Sequence, residues 1–285
     1  MEALAADAYA YLYPLVLMDI TRLKQCRTMN QFRPSREYPP GTFRGVVRPN
    51  FDTLYSIAWL DLRDGPLVIT VPDTAGRYYC MHMMDMWTES FAVPGSRTWG
   101  TGATACVVCG PNDSEADVIP NAPEGAAVVS SSTSFVWIIN RIQTNGVEDY
   151  ETVHALQDGF GLERLEMANS SPPPLMVEQA ERVSDSKKPP MLLARDLTPK
   201  EFFEYAAKLM AIHPQHQADG SMLLRLRSLG LKQGQYDTFS FDNLPAELQS
   251  ALNVGCTDGY NAIRGSGGIS AGEAFNGAIF HWVFS

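Results

Sequence analysis

Five ionisable residues stand in or beside the most apolar part of this chain: Asp52, Asp61, Arg77, Asp85 and Arg141. Arg48, Asn50, Tyr55, His82 and Trp87 keep them company among Val, Ile, Met and Tyr. A carboxylate in such surroundings needs a partner. It can pair with a guanidinium and tie strands and turns together. It can instead line a pocket, where a shifted pKa fits it for general acid or base work. On the catalytic reading, Asp52 or Asp85 moves a proton and Arg77 or Arg141 holds a negative charge. Arg48, Asn50, Tyr55 and Trp87 then shape the substrate pocket. On the structural reading the same residues are ion-pair ties in a non-catalytic binding or assembly module.

Spacing limits both readings. Arg77 and Asp85 are eight residues apart, so in one regular strand they lie ~26 Å apart and cannot pair. The segment Asn50-Phe51-Asp52-Thr53 enters a strand from a turn, where Asn and Asp commonly bond their own backbone. Arg48, Asp52 and Tyr55 also cluster at that strand mouth, where loops carry function.

Other chemistries find little footing. Cys106 and Cys109 have C-x-x-C spacing, but on a strand residues i and i+3 face apart and cannot chelate or cross-link. His213 and His216 flank Pro214 at a helix end, which reads as a helix-terminal cation rather than a metal site. No serine sits in a Gly-x-Ser-x-Gly elbow, and no phosphate-binding or dinucleotide glycine loop has its strand-then-helix context. The expectation is therefore a hydrolase or lyase type of activity on a small organic molecule, with no metal or cofactor, or else a binding module.

The elements that must position these residues follow from periodicity. Apolar residues recur at helical spacing over 2–30, with Pro14 expected to kink or divide the helix. From 43 to 141 the pattern alternates. Strands are expected at 43–48, 53–60, 67–71, 77–87, 90–93, 103–109, 127–130 and 134–141, separated by Gly, Pro and Asp turn signals. Strands without intervening helices predict a mostly antiparallel sandwich or barrel, and an α+β fold overall. Helix returns at 148–160. Residues 170–197 read as a Pro-rich connector with a short helical piece at 176–183. Thr198, Pro199 and Glu201 then spell a capping box opening a helix that stops before Pro214. Further helices are expected at 220–229 and 245–264. The expected domains are 1–165, a connector 166–197, and a helical region 198–285.

At this point the central stretch resembles a known family, domain of unknown function 1254. The residues that carry the resemblance are 49–56 (PNFDTLYS), 58–62 (AWLDL), Gly65-Pro66, Val71-Pro72, Gly76-Arg77-Tyr78-Tyr79 and Asp85. To these are added Gly95-x-Arg97-x-x-Gly100, Gly110-Pro111, Gln157-Asp158-Gly159 and Asn140-Arg141, where the family more often has Gly-Arg. The resemblance spans roughly 3–265. It implies a following β-rich domain that would cover part of the first. Here residues 274–284 (AFNGAIFHWVF) stand in that place, and they are expected to dock on the uncovered surface, either in their own chain or across a homodimer, with the dimer favoured.

The formal charge of −10 over 285 residues disfavours nucleic acid and anionic membrane as partners. No stretch approaches the roughly 18 apolar residues of a membrane helix, and the acidic N-terminus is unlike a secretory leader. Five scattered cysteines read as free thiols in a reducing, cytoplasmic setting.

Overall fold

The computed structural model describes residues 1–40, 50–166, 186 and 188–266. These residues divide into two units, one built from 26–40 and 50–166, the other from 1–25, 186 and 188–266. The expected strand at 43–48, the helical piece at 176–183 and the tail at 274–284 lie outside the described residues, as does Arg48.

The first unit is a two-sheet sandwich. Its strands are β1 (Arg33–Pro34), β2 (Thr53–Asp61), β3 (Leu67–Val71), β4 (Tyr79–Met84), β5 (Ser90–Ala92), β6 (Thr104–Cys109), β7 (Ala127–Ser130), β8 (Phe135–Gln143) and β9 (Gly161–Arg164). One sheet has the order β1-β2-β8-β4-β5 and the other β7-β6-β3-β9. Every pair is antiparallel except β6–β7, which runs parallel. The fold is thus α+β with open, mostly antiparallel sheets rather than a closed barrel.

The two-residue period of the strands builds the core. Leu54, Ala58 and Leu60 of β2, Val136, Ile138 and Ile142 of β8, and Tyr79, Met81 and Met83 of β4 turn toward β3 and β6. There they meet Ile69, Val71, Cys106 and Val108. Cys109 faces the other way, packing with Val68, Val107 and Val118 beside the short helix α2 (Glu115–Val118). The two cysteines therefore point to opposite faces, as strand geometry requires.

Helix α3 (Tyr150–Gly159) presents Gln157, only 3% exposed, to β1 and β2. Its amide donates to the carbonyls of Ser35 and Tyr55 at 3.1 and 3.0 Å, and its oxygen accepts from Arg36. The chain then leaves α3 through Gly159 and Gly161. A Cβ at Gly161 would lie 2.3 Å from Thr70 Oγ1, so a side chain there would require Thr70 to turn where β9 meets β3.

The second unit is helical: α1 (Glu2–Gln25), α4 (Pro190–Arg195), α5 (Pro199–Ile212), α6 (Gly220–Ser228) and α7 (Ala246–Ser266). The capping box is present, with the Thr198 side chain accepting from Glu201 N–H while Glu201 accepts from the Thr198 backbone. Pro14 does not divide α1, which runs unbroken for 24 residues. Residues 190–195, read as connector, form α4, because Pro190 occupies a first-turn position where its missing N–H costs nothing. The last turn of α5 ends on His213, fully buried. At that helix end the amide of Gln215 donates to the carbonyls of Met210 and His213 at 3.0 Å each. The N-terminal helix, expected to go with the sheet, is grouped with the C-terminal helices.

By length and composition α1 is also the one helix among the described residues that could cross a membrane, with a mean hydropathy of 1.2. The expectation that no stretch approaches a membrane helix misses this, since Asp7 and Asp19 interrupt the run yet leave its average high. Sixty-one per cent of that window is buried inside the fold, as in the core helix of a folded unit. Inside the unit Asp19 accepts from Arg22 Nε at 2.7 Å and from the Tyr205 hydroxyl, so the buried charges are mutually compensated.

Candidate functional site

The structure separates the expected site residues into groups. Asp85 is 1% exposed and belongs to the turn between β4 and β5. Its Oδ1 accepts from the backbone N–H of Trp87 and of Glu89, both at 2.9 Å, and Ser132 Oγ donates to Oδ2 at 2.5 Å. This carboxylate is the hub of a turn that also holds Thr88 at φ +70°. Trp87 is buried beside it at 8% exposure.

Arg77 reaches across 72 residues to Asp149, with NH1 and NH2 at 2.5 and 2.8 Å from its two oxygens. NH1 also donates to the carbonyl of Gln143 at 2.9 Å. The guanidinium beside it holds the Asp149 carboxyl below the usual carboxylate range. Arg77 borders an open cleft of about 480 Å³ lined by Thr74, Gln143, Asn145, Thr152 and Leu156 among others. Arg77 and Asp85 do not pair.

Asn50 forms the turn foreseen for it, accepting from Asp52 N–H at 2.6 Å and donating to Thr53 Oγ1 at 2.6 Å. Asp52 is exposed, so the expectation that its carboxylate needs a partner in apolar surroundings does not hold at this strand entry. Asp61 pairs locally with Arg63, whose guanidinium lies 5.0 Å from the centre of the Phe135 ring.

Tyr55 and Arg141 do come together. They are directly opposite on β2 and β8, and Cys80 of β4 is opposite Arg141 on its other side. Leu54, Ile142, Tyr79 and Met81 face the inter-sheet core. By alternation Tyr55, Arg141, Cys80 and His82 share the opposite face. The Arg141 guanidinium stands 5.8 Å from the centre of the Tyr55 ring. His82 Nε2 lies 2.5 Å from Ser90 Oγ on β5. A register shift at Met83 and Met84 sets Ser90 opposite Met84 and within that reach. Burial first, and then the positive charge of Arg141, push the His82 pKa below its ordinary 6.5. The imidazole is therefore neutral at pH 7. At the end of the row Tyr78 lies under Arg97, 5.6 Å from ring centre to guanidinium carbon.

Four adjacent strands thus converge a guanidinium, a neutral imidazole, a hydroxyl and aromatic walls on one half-exposed patch. Arginine presents a planar fork suited to a carboxylate or phosphate. A neutral histidine bonded to a serine can accept a proton from it. Among the described residues no group of three or more His, Cys, Asp or Glu side chains is disposed to hold a metal ion. Sequence reasoning missed the His82–Ser90 contact. Alternation places His82 on the face of Cys80, but only the hairpin turn and its register shift bring Ser90 back to it.

Residues 29–164 match the model of a family described as "Protein of unknown function (DUF1254)". No curated protein matches the sequence. Among solved structures the chain is similar to the crystal structure of the VPA0106 protein from Vibrio parahaemolyticus, at 20% identity and a TM-score of 0.70. That likeness covers 100% of this chain and 68% of the other, and it shows the fold.

Proposed function

We propose that the DUF1254 domain spanning residues 29–164 binds a small organic anion, a carboxylate, on the outer face of β2, β8, β4 and β5. Arg141 is its charge partner, Tyr55 and Tyr78 are its walls, and His82 with Ser90 supplies hydrogen bonds. One observation carries the reading: Arg141 shares a half-exposed face with a neutral His82 already bonded to Ser90 at 2.5 Å. A fixed positive charge beside uncharged donors favours an anion. The acidic chain as a whole gives that patch local contrast.

The same contact supports a catalytic version, a cofactor-independent hydrolase in which His82 takes the Ser90 proton and Arg141 steadies the negative charge that develops. Nothing in the geometry supports Asp85 as a catalytic acid or base, because three donors already hold its carboxylate. The pairing of Arg77 with Asp149 likewise supports a structural role for both. The cytoplasmic setting and the homodimer stay with this proposal, supported by five free thiols in the first case and by the apolar composition of 274–284 in the second.

The test is a thermal-shift screen of short mono- and dicarboxylates on the full chain, with Arg141→Gln and His82→Gln as variants. Stabilisation of the wild type that Arg141→Gln abolishes supports the proposal. Equal stabilisation of both proteins sinks it. Ester hydrolysis lost in Ser90→Ala, with carboxylate binding kept, selects the catalytic version.

A further inference from the structure

Directly behind the candidate site, on the inner face of the same strands, four polar side-chain atoms have no hydrogen-bond partner: Ser56 Oγ, Asn140 Nδ2, Asn140 Oδ1 and the Tyr79 hydroxyl. All three residues are 0% exposed. They stand on three adjoining strands, β2, β8 and β4. Ser56 is directly opposite Asn140 across β2 and β8, and Asn140 is directly opposite Met81 across β8 and β4. Tyr79 lies two residues along β4 from Met81, on the same face. Apolar Leu54, Ala58, Ile138, Ile142 and Met81 surround the group on its own sheet.

Each such group left unsatisfied carries the full desolvation penalty of a polar atom, and three residues together would consume much of the stability of an ordinary domain. Direct contact within the group cannot meet the need. Asn140 alone offers two donors and two acceptors, while Ser56 and Tyr79 each bring one hydroxyl. The guest that satisfies them must both donate and accept. It must be uncharged, since the wall holds no counter-charge and a buried ion without one is prohibitive. It must also be small, because the core residues around it are close-packed.

We propose that the sandwich holds an internal water site, bonded to Asn140 and to Ser56 or Tyr79, as a fixed part of the fold. Buried waters typically make about three hydrogen bonds to polar groups of this kind. The burial-raised pKa of Tyr79 keeps its phenol protonated, hence able to donate as well as accept. Such a water links β2, β8 and β4 side to side, at the strand positions next to Tyr55, Arg141 and Cys80.

Two measurements on the full chain test this. In a high-resolution crystal structure, a single-atom density within hydrogen-bonding distance of Asn140 and of Ser56 or Tyr79 is the expected result. In solution, the ¹⁵N-labelled side-chain amide of Asn140 should show cross-relaxation to a long-lived water, and Asn140→Leu should remove the density. A dry site with Ser56 and Asn140 bonded only to each other overturns the proposal. So does density for a guest larger than water. Should Asn140→Leu fail to fold, the wild-type crystal and the amide cross-relaxation still decide.

Discussion

His82 is the residue whose chemistry is most sensitive to its surroundings here. Burial and Arg141 hold its pKa below 6.5, so the fold prefers the neutral ring. The unfolded chain then binds the proton more readily. Its contribution to stability is whole above about pH 6.5 and is lost as pH falls through the folded value. Thermal melts of wild type and His82→Gln from pH 7.5 to about 5 should therefore show the wild type losing more stability on acidification. Parallel curves would remove the histidine from the argument. The Arg77–Asp149 pair obeys the carboxylate version of the rule. Its side chains are 17% and 15% exposed, and the depressed carboxyl stabilises the fold above its ordinary 3.8, an effect lost on further acidification. Asp149→Asn should cost about 1.5–3 kcal/mol in urea unfolding at neutral pH, the range for hydrogen bonds to charged groups. In a double-mutant cycle with Arg77→Gln the two changes should be strongly non-additive. Additive losses would mean that the pair does not act as a unit.

At the scale of elements, the legible parts were those with local chemistry. Alternation gave β2, β3, β6, β7 and β8 nearly to the residue, and Thr198 with Glu201 announced the start of α5. Two short strands escaped, because β1 is Arg33–Pro34 and β9 is Gly161–Arg164, too brief for a period to show. Each is fixed instead by a tertiary neighbour, β2 in one case and β3 in the other. The candidate site was half legible for the same reason. Tyr55 and Arg141 could be named from residue type, but their partners His82 and Ser90 depend on register, and Asp149 lies too far along the chain to be matched with Arg77. The close approach of α7 to α1 was also hidden. A Cβ at Gly255 would lie 2.4 Å from the Cβ of Ala5, and one at Gly259 would lie 2.7 Å from the carbonyl oxygen of Ala6. In an exposed helix Gly→Ala gains about 1 kcal/mol. Here Gly255→Ala and Gly259→Ala should each lower the melting temperature, since backbone and not a pliable side chain stands in the way. A melting temperature raised in either variant would show that the two helices can part without cost.

Across the whole molecule, the helical unit is assembled from both sides of the sheet unit in sequence, with α1 on one side and α4 to α7 on the other. Helix α1 supplies Leu12, Leu15 and Val16 at 0% exposure and Ile20 at 1%. It also carries the buried Asp19 and Arg22, and Asp19 binds Tyr205 of α5. Tyr9 stacks on Phe202 of the same helix, with ring centres 4.3 Å apart. A helix of 14 residues such as α5 is marginal by itself in water and depends on an apolar face being covered. Removing α1 would strip that cover from α5 and α7 together and leave Tyr205 without its acceptor. Deletion of Met1–Gln25 should therefore reduce far-UV helical signal by more than the 24 residues of α1 account for. It should also expose dye-binding apolar surface, with the near-UV signal of the sheet-unit tryptophans Trp59 and Trp137, stacked 5.2 Å apart, as an internal reference. If the helical loss is limited to α1 and the rest melts as before, α4 to α7 form a folded body without it, and the cover argued for α1 is not needed.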